Sequence, residues 1–269
     1  MKFGQRISAT LSQETFIQSK MKVLAISDLH GYLPEIKERV DVVVIAGDIV
    51  DLYYQASINK SIAWFSREFV PWALNLNCER VIIIAGNHDF FFQRLVENYY
   101  QKRVVMYDDP KEQRNYIESG SAMVVSDELL LPKKIVYLQD TLYRFGGKLF
   151  YGTPWCPDLS RWAFYKSPMD LKDAFSRIPE GVDVLITHSP GKHVNDTGVS
   201  LQRPDRPEYG SSELTEVIDN MENKPKWWFT GHVHSGTHIV TDYKGVNVVN
   251  VSVKDENYDP VYGYNIYEI

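Results

Sequence analysis

Five short clusters in the sequence place histidine, aspartate and asparagine at spacings that suit metal chemistry. They are Ser27-Asp28-Leu29-His30-Gly31, Gly47-Asp48-Ile49-Val50-Asp51, Gly86-Asn87-His88-Asp89, Thr187-His188-Ser189-Pro190 and Gly231-His232-Val233-His234. Five of the seven histidines fall inside them. Residues two apart on an extended segment point the same way, so Asp28 with His30, and His232 with His234, can each converge on one point. A pool of imidazole, carboxylate and amide donors suits manganese, iron or zinc better than calcium. Asp28, His30, Asp48, Asn87, His88, His188, His232 and His234 are enough donors for two ions, and a lone zinc would leave several unused. Each cluster alone has a plain structural explanation, such as an aspartate capping backbone N–H groups beside a surface histidine. All five in order point to a built site.

Each cluster follows a short apolar run: Val23–Ile26, Val42–Ile45, Val81–Ile84, Val184–Ile186 and Trp227–Phe229. Runs of this length suit strands buried on both faces, as in α/β proteins. Open α/β sheets place their sites at the carboxyl ends of such strands. Ile58, Ile62, Phe65, Phe69, Trp72 and Leu76 step by three and four, so a helix with one apolar stripe is expected over about 57–75. Residues 135–138, 148–151, 238–241 and 246–251 read as strands of a more antiparallel second half. No linker rich in Pro, Gly or Ser divides the chain. The expected organisation is a flexible, polar leader over 1–20 and a single domain over 21–269. The stretch 97–126 has no clear period. The stretch 191–212 carries Lys192, His193, Arg203 and Arg206 among prolines, and reads equally as a substrate-shaping loop or a solvated one.

Composition excludes several classes. The 29 basic and 35 acidic residues leave a formal charge of −6, so no global attraction to nucleic acid or an acidic membrane is expected. No apolar run approaches the ~20 residues that cross a bilayer. Cys78 and Cys156 are the two cysteines, too few for a disulfide framework. They read as free thiols in a reducing compartment, the cytoplasm.

The ordered set Asp28-x-His30, Gly47-Asp48-Ile49-Val50-Asp51, Gly86-Asn87-His88-Asp89, Thr187-His188 and Gly231-His232-Val233-His234 resembles the calcineurin-like metallophosphoesterase superfamily. The resemblance implies a four-layer α/β/β/α sandwich of two mixed sheets flanked by helices. It implies two metal ions, manganese, iron or zinc. One would be held by Asp28, His30, Asp48 and His234, the other by Asp48 as bridge with Asn87, His188 and His232. By the same resemblance His88 serves the leaving oxygen, and Asp51 is similar to the carboxylate that orients it in protein phosphatases. Those phosphatases follow this stretch with a phosphate-binding Arg, where this chain has Leu52, and their Gly-Asn-His-Glu is here Gly-Asn-His-Asp. The segment Tyr151-Gly152-Thr153-Pro154-Trp155 and the Thr187–Pro190 stretch are similar to small single-domain phosphodiesterases of the metallophosphoesterase-domain type. The implied activity is hydrolysis of phosphodiesters, cyclic nucleotides or related small diesters, by a metal-bridging hydroxide. The alternatives are a phosphomonoesterase, protein phosphatase or nuclease on the same centre, and lastly a non-catalytic scaffold. The expected partner is a small phosphoester, nucleotides included, with no membrane and no extended nucleic-acid surface. Oligomeric state stays open, a dimer included.

Overall fold

Side chains alternate sides along a strand, and in the central strands of this protein both sides are buried. The computed structural model describes residues 20–94, 124–126, 129–157, 159–198, 208–235 and 238–269. Residues 1–19 of the expected leader, most of the 97–126 stretch, and Arg203 and Arg206 lie outside the described residues.

One sheet has β1 (Lys22–Ile26), β2 (Val42–Ala46), β3 (Arg80–Ile84) and β6 (Ile135–Tyr137) in parallel, with β13 (Asn265–Glu268) antiparallel on the β1 edge. The second sheet runs in the order β11 (Thr241–Tyr243), β12 (Val246–Asn250), β10 (Trp227–Thr230), β9 (Val184–Thr187), β8 (Lys148–Thr153), β7 (Thr141–Phe145). A short separate ladder pairs β4 (Val124–Ser126) with β5 (Leu129–Leu130).

Alternation sorts the apolar residues into three cores. Val23, Ala25, Val42, Val44, Ile82 and Ile84 face the other sheet and meet Phe150, Val184, Ile186, Phe229 and Val249. The opposite faces of the same strands, Leu24, Ile26, Val43, Ile45, Val81 and Ile83, pack under Phe65 and Phe69. On the second sheet Leu185, Trp228 and Val248 pack under Leu171 and Phe175 of one helix and Leu214 and Ile218 of another. Two mixed sheets therefore face each other with helices outside both, the expected α/β/β/α order. Each fully buried Val, Leu, Ile or Phe contributes about 1.5–3 kcal/mol of transfer free energy, which fixes the strands whose ends carry the site.

Three expectations are corrected in detail. The helix over 57–75 is not uniform: α1 (Ile58–Trp64) passes through a π turn (Phe65–Phe69) into α2 (Val70–Asn75). Pro71 lacks an N–H and would crowd a carbonyl of the preceding α turn, and a widened turn relieves this. Residues 238–240 are not strand; His238 has φ +55°, and pairing starts at Thr241. The second sheet is antiparallel only at its edges, because β12, β10, β9 and β8 are parallel neighbours. The outer helices α3 (Pro168–Phe175) and α4 (Ser212–Asn220) begin at Ser167 and Ser211, whose hydroxyls accept from Asp170 N–H and Leu214 N–H. Among the described residues no helix is long and apolar enough to cross a membrane.

Candidate metal centre

The expected site residues sit just past the ends of five parallel strands: Asp28 and His30 after β1, Asp48 after β2, Asn87 and His88 after β3, His188 after β9, His232 and His234 after β10. Backbone bonds hold these ends together. Asp28 N–H donates to Gly47 O (3.0 Å), His30 N–H to Asp48 O (2.9 Å) and Gly231 N–H to His188 O (2.9 Å). Asp28, His30, Asp48 and His232 adopt left-handed φ values of 55°, 41°, 53° and 68°. Each costs about 1 kcal/mol or more for a residue with a Cβ, so the surrounding packing enforces these turns. Gly86 permits the closest approach: a Cβ there would meet His188 Cε1 at 2.7 Å and run into the Asp48 carboxylate.

Within the centre the donor atoms converge. His234 Nε2 lies 3.4 Å from Asp28 Oδ1 and 3.3 Å from His30 Nε2. Asp48 Oδ2 is 3.3 Å from His188 Nε2, 3.6 Å from His30 Nε2 and 3.9 Å from His88 Nε2. Asn87 Oδ1 faces His188 Nε2 at 3.0 Å and His232 Nδ1 at 2.9 Å. All are buried except His232, which is partly exposed.

Backbone carbonyls set two of the rings. His188 Nδ1–H donates to Ala46 O (2.7 Å) and His234 Nδ1–H to Asp255 O (3.0 Å), which turns each Nε2 toward the carboxylates. Ser27 Oγ–H donates to Asp28 Oδ2 and His232 N–H to both Asp28 oxygens at 3.1 Å. His88 N–H donates to Asp48 Oδ1 at 2.8 Å.

The charges are strongly coupled. Burial opposes the charge on Asp28, but the hydrogen bond and positive charge of His234 hold its carboxyl well below the usual range. Burial is likewise outweighed at Asp48, by His188 first. Burial would keep His188 neutral, yet Asp48 lifts it to about 9. Burial holds His30 and His232 down at about 3. Buried carboxylates that draw protons onto neighbouring imidazoles, with other imidazole nitrogens held neutral, form a donor set made for cations. His30 Nδ1 is buried with no hydrogen-bond partner. The residues fit divalent metal. Asp28, His30 and His234 form one convergent group, and Asp28, Asp48 and His188 another.

Two sequence expectations fare differently. His88 sits at the centre as expected. Asp51 does not orient it: the Asp51 carboxylate accepts from Tyr53 N–H (2.8 Å), the ordinary task of a turn aspartate. His88 Nδ1 is instead hydrogen-bonded to Gln55 Oε1. Sequence reading also missed Cys156, whose buried thiol stands with His188 and His232 within ligand distance. Burial first, then the negative charges of Asp48 and Asp28, push its pKa well up, so it stays a thiol. Both cysteines are free.

Residues 21–236 match the sequence profile described as calcineurin-like phosphoesterase. The chain belongs to that family. Metallophosphoesterase domain-containing protein 1 of Homo sapiens and that of Mus musculus are each 30% identical over 246 residues, covering 89% of this chain and 68% of theirs. One solved crystal structure superposes with a TM-score of 0.54 at 13% identity, covering 93% of this chain and 99% of the other, which shows the shared fold. Calcineurin-like phosphoesterases typically bind divalent metals and hydrolyse phosphate esters. The His/Asp groups of this chain could hold such metal.

Three aromatic residues frame the centre. Trp162 lies 4.3 Å from His88 between ring centroids, Tyr258 4.9 Å from His30 and 5.0 Å from His234, and Tyr209 5.9 Å from His232. Tyr209 and Tyr258 carry no motif signal in the sequence.

Proposed function

We propose that this member of the family hydrolyses phosphodiesters, small esters and nucleotides among them, at a centre for two metal ions. Asp48 Oδ2 stands between His30 and His188, the place for a bridging ligand, with Asp28 and His234 on one side and Asn87 and His232 on the other. Divalent ions held there would lower the pKa of water and polarise phosphoryl oxygens. Asp28 and Asp48 offset half of the four positive charges, and the remainder suits a hydroxide and a monoanionic ester. His88 Nε2 is the nitrogen free to gain and give a proton, because Nδ1–H is committed to Gln55. It serves the leaving oxygen.

The observation that carries the diester reading is that, among the described residues, no lysine or arginine pairs with the carboxylates of the centre. A monoester dianion wants a further positive side chain, and the relevant position is Leu52. Among the described residues only histidines pair with Asp28 and Asp48. Burial lowers the pKa of Lys254, with the charges of Asp51 and Asp259 opposing.

The test is a pair of substrates with one leaving group. Protein reconstituted with manganese should show higher kcat/KM on an aryl phosphodiester than on the matching aryl monoester, and lose both activities to a chelator. A clear monoester preference overturns the diester reading and leaves family membership intact.

A further inference from the structure

Trp162 and Tyr258 arrive at His88 from two separate loops, and neither belongs to the metal clusters. Their ring centroids lie 4.3 Å and 6.3 Å from that of His88. The two rings flank that of His88 without a ring contact between them. Both are open to solvent, with 38% and 37% of their surfaces exposed, so a bound molecule can reach them. Tyr and Trp suit places where one end of the ring is packed and the other wet, and their faces can pair with a further flat ring in offset-stacked or edge-to-face geometry.

Each wall is fixed by the loop that carries a site residue. Ala163 N–H, next to Trp162, donates to Asn87 O (3.1 Å), and Phe164 N–H donates to Gln93 Oε1 (2.7 Å). Trp162 N–H closes a turn on Leu159 O at 2.8 Å. On the other side Tyr258 N–H donates to Asp255 O (2.9 Å), the same carbonyl that accepts from His234 Nδ1–H. The Asp255 carboxylate ties the turn further, Oδ1 accepting from Asn257 N–H and Asp259 N–H, both at 2.9 Å. This turn holds Tyr258 at φ +64°. A bulky residue with that φ is a genuine outlier, maintained here with its ring against His30 and His234. Walls set in advance bind with less loss of side-chain freedom.

We propose that Trp162 and Tyr258 form a subsite that receives a flat aromatic group on the leaving side of the ester, so that the preferred substrates are phosphodiesters of arylmethyl alcohols or nucleosides. The proposal rests on the diesterase reading and on His88 lying at the leaving oxygen. Stacking is tolerant of which ring it meets, so a simple aryl group and a nucleobase share this chemistry.

The experiment compares manganese-loaded protein on methyl benzyl phosphate and methyl cyclohexylmethyl phosphate, which have similar leaving groups and differ in a flat against a puckered ring. The benzyl ester should have at least about fivefold higher kcat/KM, the lower end of what stacking contributes. Trp162→Ala should bring the ratio close to one, Trp162→Phe should keep most of it, and Tyr258→Ala should reduce it. Thymidine 5′-(methyl phosphate) against its abasic counterpart then separates the sources. A larger effect of thymine than of benzyl assigns the subsite to nucleotides, and the reverse to simple aryl esters. Equal rates for benzyl and cyclohexylmethyl esters in the wild type, or an undiminished ratio in Trp162→Ala, overturn the subsite while the diesterase reading stands. Hydrolysis of 4-nitrophenyl phosphate without turnover of any of these diesters overturns the diesterase reading itself, and the subsite with it.

Discussion

Nδ1 of His88 is bonded to an amide rather than a carboxylate, and this bears on how His88 handles protons. A carboxylate would stabilise the imidazolium, whereas Gln55 fixes the ring and its tautomer without adding negative charge. Burial lowers the His88 pKa, with Asp48 opposing, so the ring releases a proton readily. Replacing His88 by Ala should lower turnover ~10²-fold or more on diesters with alkyl leaving groups, and much less on 4-nitrophenyl esters, which leave without a proton. Gln55→Ala should lower alkyl-ester kcat in the same pattern but by a smaller factor, with KM nearly constant. Metal content measured by mass spectrometry should stay normal in both. Loss of metal in His88→Ala would make it a ligand, and equal losses on both leaving groups would remove its proton role. Gln55 was not legible in the sequence because it lies 33 residues before His88 and meets it only through the fold. Asp51 was misread because a Gly-Asp-x-x-Asp stretch looks the same whether its last carboxylate faces a histidine or closes a turn.

At the scale of elements, the strand ends were legible because each is a short apolar run broken by a polar cluster, and burial on both faces leaves few other arrangements. Breaks inside elements were not, since the π turn after Trp64 and the bend at His238 depend on tertiary packing rather than on period. One buried side chain joins the strand-end loops, and the sequence shows it only as the last letter of Gly86-Asn87-His88-Asp89. Asp89 accepts from Ile49 N–H at 3.0 and 3.1 Å, from Val50 N–H at 2.9 Å and from Gly86 N–H at 2.9 Å. It thereby locks the turn carrying Asp48 to the turn carrying Asn87. Asp89→Ala strands three buried N–H groups, each costing about 1–3 kcal/mol. Unfolding should require at least ~3 kcal/mol less in the variant, a fall in Tm of several degrees at this size. Asp89→Asn, which keeps one acceptor oxygen, should lose less. A thermal scan of Asp89→Ala that superposes on the wild type would show that water satisfies these groups.

Seen across the whole molecule, the centre is a seam between two sheets. Asp28, His30, Asp48, Asn87 and His88 belong to the ends of β1, β2 and β3, whereas His188, His232 and His234 belong to β9 and β10. The sheets meet elsewhere through apolar side chains, Val44 and Ile84 against Phe150 and Ile186 among them. At this edge the contacts are polar and crowded with like groups: His30 Nε2 faces His234 Nε2 across the seam at 3.3 Å, and Asp28 and Asp48 are both ionised and buried. Without cations the edge is held by shared protons, whereas a cation held by Asp28, His30 and His234 would take donors from both sheets. Metal bound to the folded chain alone stabilises it by mass action, ~2.7 kcal/mol when free metal is 100 times its dissociation constant. The melting temperature should therefore rise steadily with manganese concentration and fall on chelation. In Asp48→Asn, which weakens the carboxylate shared between His30 and His188, that rise should be largely lost, although the variant still folds. Magnesium at equal concentration should have a smaller effect, because imidazole donors suit it poorly. A melting temperature indifferent to manganese in the wild type would mean that the folded chain does not bind the metal in preference to the unfolded one, and would overturn the seam as a metal site.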